Sequence, residues 1–276
     1  MKDYVYSKKS IVVFFIVVTI LSAIMDYVYC SGISAYGVFV LMWMPAVACV
    51  VANIVNVIEK REKINLKEFL NRCGFKKCSL LCILSGIMIP FIYLFIPYRI
   101  YWIMYPENFA YNGVSLNLVL KDCLLPAIIG VFLNLISATG EEIGWRGFLV
   151  PALKERYGVK LALVVTSLFW CFWHFPLLIW GGYMTGTPLT YALIAFTLCI
   201  FFVGVIFGLM RLECDSMWPC AFLHAAHNNF DQGIFGLITK GDNMMYFVSE
   251  TGILTIICVV VIAAVMYKRH KDLAIE

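Results

Sequence analysis

Seven residues able to do chemistry stand inside segments otherwise fit for lipid. Glu141, Glu142 and Arg146 lie in the run Ala138-Thr-Gly-Glu-Glu-Ile-Gly-Trp-Arg-Gly-Phe, and His174 in Phe169-Trp-Cys-Phe-Trp-His-Phe-Pro. His224, His227 and Asn228 follow in Phe222-Leu-His-Ala-Ala-His-Asn-Asn-Phe-Asp. An ionisable side chain inside a membrane span is costly and marks a functional candidate. Glu142 and Arg146 are four apart with the acid first, the better order for a helical pair. That pairing leaves Glu141 free for chemistry. His224 and Asn228 share a helix face at the same spacing, and His227 shares it less directly.

A carboxylate beside histidines suits the activation of water as a general base. His224 and Asn228 are suitable donors to the oxyanion of an attacked carbonyl. His174 suits orienting the water or protonating a leaving amine. Together they allow peptide hydrolysis without a covalent intermediate. The same ligands suit a metal: Glu141, His174 and His224 from separate helices would make an open site for a divalent ion such as zinc. No H-E-x-x-H motif occurs, nor a G-x-S-x-G elbow, a P-loop or a dinucleotide fingerprint. Taken singly, each polar group also suits helix packing, but packing does not need a spare glutamate.

The elements that carry these residues follow from composition. Of 276 residues, 62% are hydrophobic and 14% charged, with a mean hydropathy of +0.88. A soluble domain carries about 25% charged residues, so lipid is the solvent that fits. A spanning helix needs about 20 apolar residues. Eight segments qualify: 10–29, 33–58, 80–97, 122–149, 161–180, 189–210, 216–238 and 251–267. The first follows Lys2, Lys8 and Lys9 like a signal sequence, but it is too long and lacks a cleavage site, so it reads as a retained span. The eleven cysteines are irregularly spaced and read as small apolar residues.

With the N-terminus inside, 17 of the 21 Lys and Arg fall in inside segments, while Arg99, Lys121 and Lys240 fall outside. That bias predicts eight spans with both termini cytoplasmic. Glu141 lies 15 residues before Arg156, His174 14 after Lys160, and His224 13 after Arg211. At 1.5 Å per residue all three sit about 20–22 Å from the basic turns. They form one layer, expected to open toward the cytoplasm. The basic loop 60–77 is explained by orientation, and nothing indicates nucleic-acid binding.

At this point the chain resembles the CAAX protease and bacteriocin-processing family, which includes type II CAAX prenyl endopeptidases. The resemblance covers about residues 122–230: Glu141-Glu142-x-x-x-Arg146 with Gly144-Trp145-Arg146-Gly147-Phe148-Leu149, then His174-Phe-Pro176, then His224-x-x-x-Asn228. It implies Glu141 as the water-activating base and His174 as the second-motif histidine. It implies His224 and Asn228 on the oxyanion or scissile carbonyl, and Glu142 and Arg146 in support. One departure is Trp170, where the family usually has Phe. A changed pocket wall is expected rather than lost activity. The family is often called metalloprotease, and the resemblance also allows a metal-free glutamate mechanism.

The expectation is an all-α, polytopic membrane protein forming one domain over 1–276. About eight transmembrane helices surround a polar cavity between the central ones, with a catalytic core at 122–230. Its partners would be the bilayer, in the cell membrane, and a prenylated, leader or small membrane peptide. The rival reading is a non-enzymatic membrane protein, a bacteriocin-immunity factor or a transporter. Transport ranks lower because the halves show no repeat.

Overall fold

The computed structural model describes residues 5–273; Lys2 of the basic N-terminal segment lies outside them. Twelve α-helices are formed among the described residues: α1 (Lys8–Cys30), α2 (Gly37–Leu41), α3 (Met44–Lys60), α4 (Leu66–Arg72), α5 (Leu80–Met104), α6 (Leu116–Glu142), α7 (Val150–Trp173), α8 (Phe175–Ile179), α9 (Leu189–Cys214), α10 (Trp218–Asn228), α11 (Met244–Phe247) and α12 (Ile253–Leu273). Two π-helical segments, Ile143–Leu149 and Asn229–Phe235, continue α6 and α10. No strand forms among the described residues beyond one bridge between Phe109 and Thr239.

Local chemistry sets several boundaries. Ser7 and Ser79 accept the backbone N–H of Ser10 and Cys82, capping α1 and α5. Arg61 ends α3 in the left-handed region at φ 54°. Inside α7, Gly158 takes φ 84° and breaks the helix into two arms, a conformation open to glycine because it has no Cβ.

The exposed apolar residues form helical stripes. Val12, Ile16, Ile20 and Ile24 run along α1, and Ile253, Ile257, Val261 and Val265 along α12, all at i,i+4 and all exposed. Stripes of this kind meet lipid. The protein is thus an integral, multi-pass α-helical membrane protein.

Among the described residues six stretches are long and apolar enough to cross a membrane, against eight expected segments. Two physical features account for the difference. The stretch Leu116–Ile179 is 64 residues long and turns at Gly158, so it holds two of the expected segments. The expected segment 216–238 corresponds to α10 and its π-helical extension, too polar to qualify. It packs against α5, α6 and α9 rather than lipid, and eight of its eleven α-helical residues are buried. Histidines are tolerated there because protein surrounds them.

The chain passes from lipid to core along α6. Leu124, Leu125, Phe132 and Leu133 are exposed, whereas all seven residues of Ile143–Leu149 are buried. Two glycines permit this burial. A Cβ on Gly144 would lie 2.6 Å from the backbone of Pro45 in α3, and one on Gly147 would lie 2.2 Å from the carbonyl of Cys73. The backbone of the first motif therefore packs directly on its neighbours.

Candidate active site

The first motif bends from α-helix into π-helix immediately after Glu142. Such bulges change the facing of successive side chains and recur at functional sites. Glu142 Oε1 accepts from Arg146 Nη1 at 2.9 Å, and both side chains are fully buried. The guanidinium lies between two aromatic faces, 4.4 Å from the Trp170 ring centroid and 4.3 Å from that of Phe207. Among the described residues its Nε and other terminal nitrogen have no hydrogen-bond acceptor; the ring faces stand in for one.

Glu142 Oε1 also meets His224 Nδ1 at 2.9 Å. A carboxylate has only lone pairs to offer, so Nδ1 carries the proton and donates. Nε2 of His224 then faces Glu141 Oε1 at 4.0 Å. The other oxygen of Glu141 accepts two indole N–H groups, from Trp170 at 2.8 Å and Trp145 at 3.3 Å. Glu141 is thus held by one oxygen and presents the other.

His174 caps α7, and its Nδ1 lies 2.8 Å from the carbonyl of Trp170. That carbonyl can only accept, so Nδ1 is the donor and Nε2 carries the lone pair. Glu141, His174, His224 and Asn228 all line one cavity of about 190 Å³. The structure brings together every residue singled out in the sequence: Glu142 and Arg146 stand behind the cavity, and His227 lines its far side.

His227 belongs to a second network. Its Nε2 meets Glu250 Oε1 at 2.7 Å, and its Nδ1 meets the Tyr93 hydroxyl at 2.9 Å. The Tyr183 hydroxyl donates to the other oxygen of Glu250. Nothing in the spacing pointed to Tyr93, Tyr183 or Glu250. Glu250 lies in the turn before the last apolar run, and only its acid beside that run was a signal. Trp145 sat within the motif, but its role as donor to Glu141 was not legible.

The placement of the cavity departs from expectation. Its lining includes Tyr29 near the end of α1, Val38 in α2, Gly182 between α8 and α9 and Glu250 between α11 and α12. These lie at the end away from the basic loop 59–79, so the cavity extends toward the face opposite the basic one. The helical rise already contained the reason. A layer 20–22 Å from the basic turns is past the middle of a hydrocarbon core about 30 Å thick.

Among the described residues no group of three His, Cys, Asp or Glu side chains is placed to hold a metal ion. One oxygen of Glu141 is occupied by indoles and Nδ1 of His224 by Glu142. These contacts leave Oε1 of Glu141 and Nε2 of His224 and His174 as the atoms of the expected trio that face the cavity.

Comparison with known proteins bears on this geometry. The family described as Type II CAAX prenyl endopeptidase Rce1-like matches residues 123–230, the stretch that holds the first π-helical segment and all seven polar residues. A protein of Methanococcus maripaludis named CAAX prenyl protease 2 is 25% identical, with 85% of each chain covered. The chain is thus similar to CAAX prenyl endopeptidases over its central segment. That similarity supports a membrane-embedded endopeptidase. Within this CAAX protease-like chain, Trp170 brings to Glu141 a hydrogen-bond donor that phenylalanine lacks.

Proposed function

We propose that this chain is an intramembrane endopeptidase in which Glu141 activates water. The observation that carries the reading is the asymmetry of Glu141: Oε2 is clamped by two indoles while Oε1 faces His224 Nε2 across 4.0 Å. A water about 2.8 Å from each atom fits that separation. Its second proton has an acceptor in Nε2 of His174, whose Nδ1 is committed to the backbone. Glu141 takes a proton as the water oxygen attacks the scissile carbonyl. Asn228 and protonated His224 stabilise the oxyanion, with Glu142 offsetting the imidazolium charge. Protonated Glu141 passes its proton to the leaving nitrogen as the C–N bond breaks. The catalytic core is the segment 122–230, and the substrate is a prenylated, leader or small membrane peptide.

The test is incubation of the purified protein in liposomes with candidate peptides, products being read by mass spectrometry. Cleavage by wild type and none by Glu141→Ala is expected. Equal cleavage by both sinks the assignment.

Trp170→Phe removes one of the two donors to Oε2 and keeps an aromatic face against Arg146. A hydrogen bond to a charged group contributes about 1.5–3 kcal/mol. The variant is therefore expected to lose about tenfold or more in kcat with little change in KM. An unchanged kcat would show that the indole only fills space.

Both termini lie on the cytoplasmic side and the end of the bundle that the cavity reaches lies outward, because the basic connections stay inside. A protease site inserted at Gly113, in an exposed turn of the opposite end, is expected to be cut in intact cells. One inserted in the loop 61–65 is expected to stay protected. The reverse pattern inverts the orientation.

A further inference from the structure

A second depression lies between α1, α7 and α8. It has a volume of about 610 Å³, and its lining includes Ser22, Asp26, Tyr27, Phe172, Trp173 and Trp180. Asp26 is the one acid of α1, four residues before its end. It is 7% exposed, and its Oδ1 is buried without a hydrogen-bond partner. Among the described residues no hydrogen bond or ion pair reaches Asp26, and no Lys or Arg lines the groove. A carboxylate this far from water is costly unless something of opposite charge joins it. The surrounding rings supply faces that favour a cation.

The groove is also a neighbour of the candidate active site. Trp173 lines both the groove and the cavity of Glu141. Its indole N–H donates to Ser22 Oγ at 2.7 Å, fixing this shared wall to α1. Tyr27 and Trp180 are each 68% exposed, so the groove is open laterally.

We propose that this groove binds a lysine or arginine side chain of a membrane-embedded peptide, with Asp26 as its counter-charge. That the peptide is also a substrate rests on the peptidase reading above. A zwitterionic lipid would bring an ammonium too, but its phosphate would find no cation in the groove. A basic side chain brings the positive charge alone.

The test uses the Glu141→Gln variant in phosphatidylcholine nanodiscs, so that the probe is not consumed. The probes are a fluorescent apolar peptide of transmembrane length with one lysine near its outer end and the same peptide with norleucine there. Binding of the lysine peptide is expected to be about tenfold tighter, the scale set by one partly desolvated charge pair. Asp26→Asn is expected to erase that preference and leave norleucine binding unchanged. Equal binding of the two peptides, or a preference that survives Asp26→Asn, overturns the proposal.

Ala23→Phe fills the groove from an exposed position without touching the carboxylate. It is expected to weaken lysine-peptide binding, and unchanged binding counts against the site even if Asp26→Asn fails to fold. Nanodiscs containing phosphatidylethanolamine are expected to leave the preference intact. Its loss there would assign the groove to lipid and overturn the peptide assignment. A wild-type chain that cuts nothing while the preference holds removes the peptidase reading and leaves the site.

Discussion

Glu141→Gln is expected to lower kcat for peptide hydrolysis by about a thousandfold, within the 10²–10⁴-fold range that general-base catalysis supplies. The amide is the same size as the carboxylate, so the cavity keeps its shape. Its oxygen can still accept from Trp170 and Trp145, the contacts that hold Glu141 Oε2 at 2.8 and 3.3 Å. What is lost is the free lone pair on Oε1, the atom that faces His224 at 4.0 Å. Folding should be retained, and KM should move little, because the loss falls on the transition state. The measurement is kcat and KM on a cleaved reporter peptide alongside a thermal unfolding curve. A variant with full activity would make Glu141 a packing residue. One that loses activity only because it unfolds would say nothing for catalysis, which is why the isosteric amide is preferred to alanine.

Arg146→Met should destabilise the protein more than any other single change at the site. Arg146 and Glu142 are both fully buried and paired at 2.9 Å, and the guanidinium is held between Trp170 and Phe207. Removing one partner of a buried pair leaves an uncompensated charge, at a cost of about 3–5 kcal/mol. His224 Nδ1 still reaches Glu142, which offsets part of the loss. The unfolding midpoint is expected to fall on the order of 10 °C. Thiol reactivity on heating reads this directly, since Cys49, Cys73, Cys171, Cys199 and Cys220 are all buried and free. Replacing both partners, Glu142→Gln with Arg146→Met, should cost less than Arg146→Met alone, because no bare charge remains. A single variant as stable as wild type would mean that the pair carries no structural weight.

These two predictions draw on information of different origin. The Glu142–Arg146 pair is local, four residues on one helix, and its spacing names it. Glu141 was legible as the unpaired acid of the motif. Its two indole donors were not: Trp170 lies 29 residues away on another helix. The contact between His224 and Glu142 spans 82 residues, and that between His227 and Glu250 spans 23. Each depends on how a helix is rotated about its axis. In a soluble helix an apolar stripe reveals that rotation. Here α5, α6 and α9 are apolar nearly all round, so their sequences carry little record of which face turns inward.

The sequence by itself determined the solvent, the helical class, the basic side of the bundle and the polar layer within it. These follow from composition, from charge counted along the chain and from a fixed rise per residue. Only the tertiary structure decided which end of the bundle the cavity reaches, which oxygen of Glu141 is presented, that His227 faces Glu250, and that Asp26 stands without a partner among the described residues. All four are relations between helices distant in sequence, settled by close packing in three dimensions rather than by any local pattern of residues.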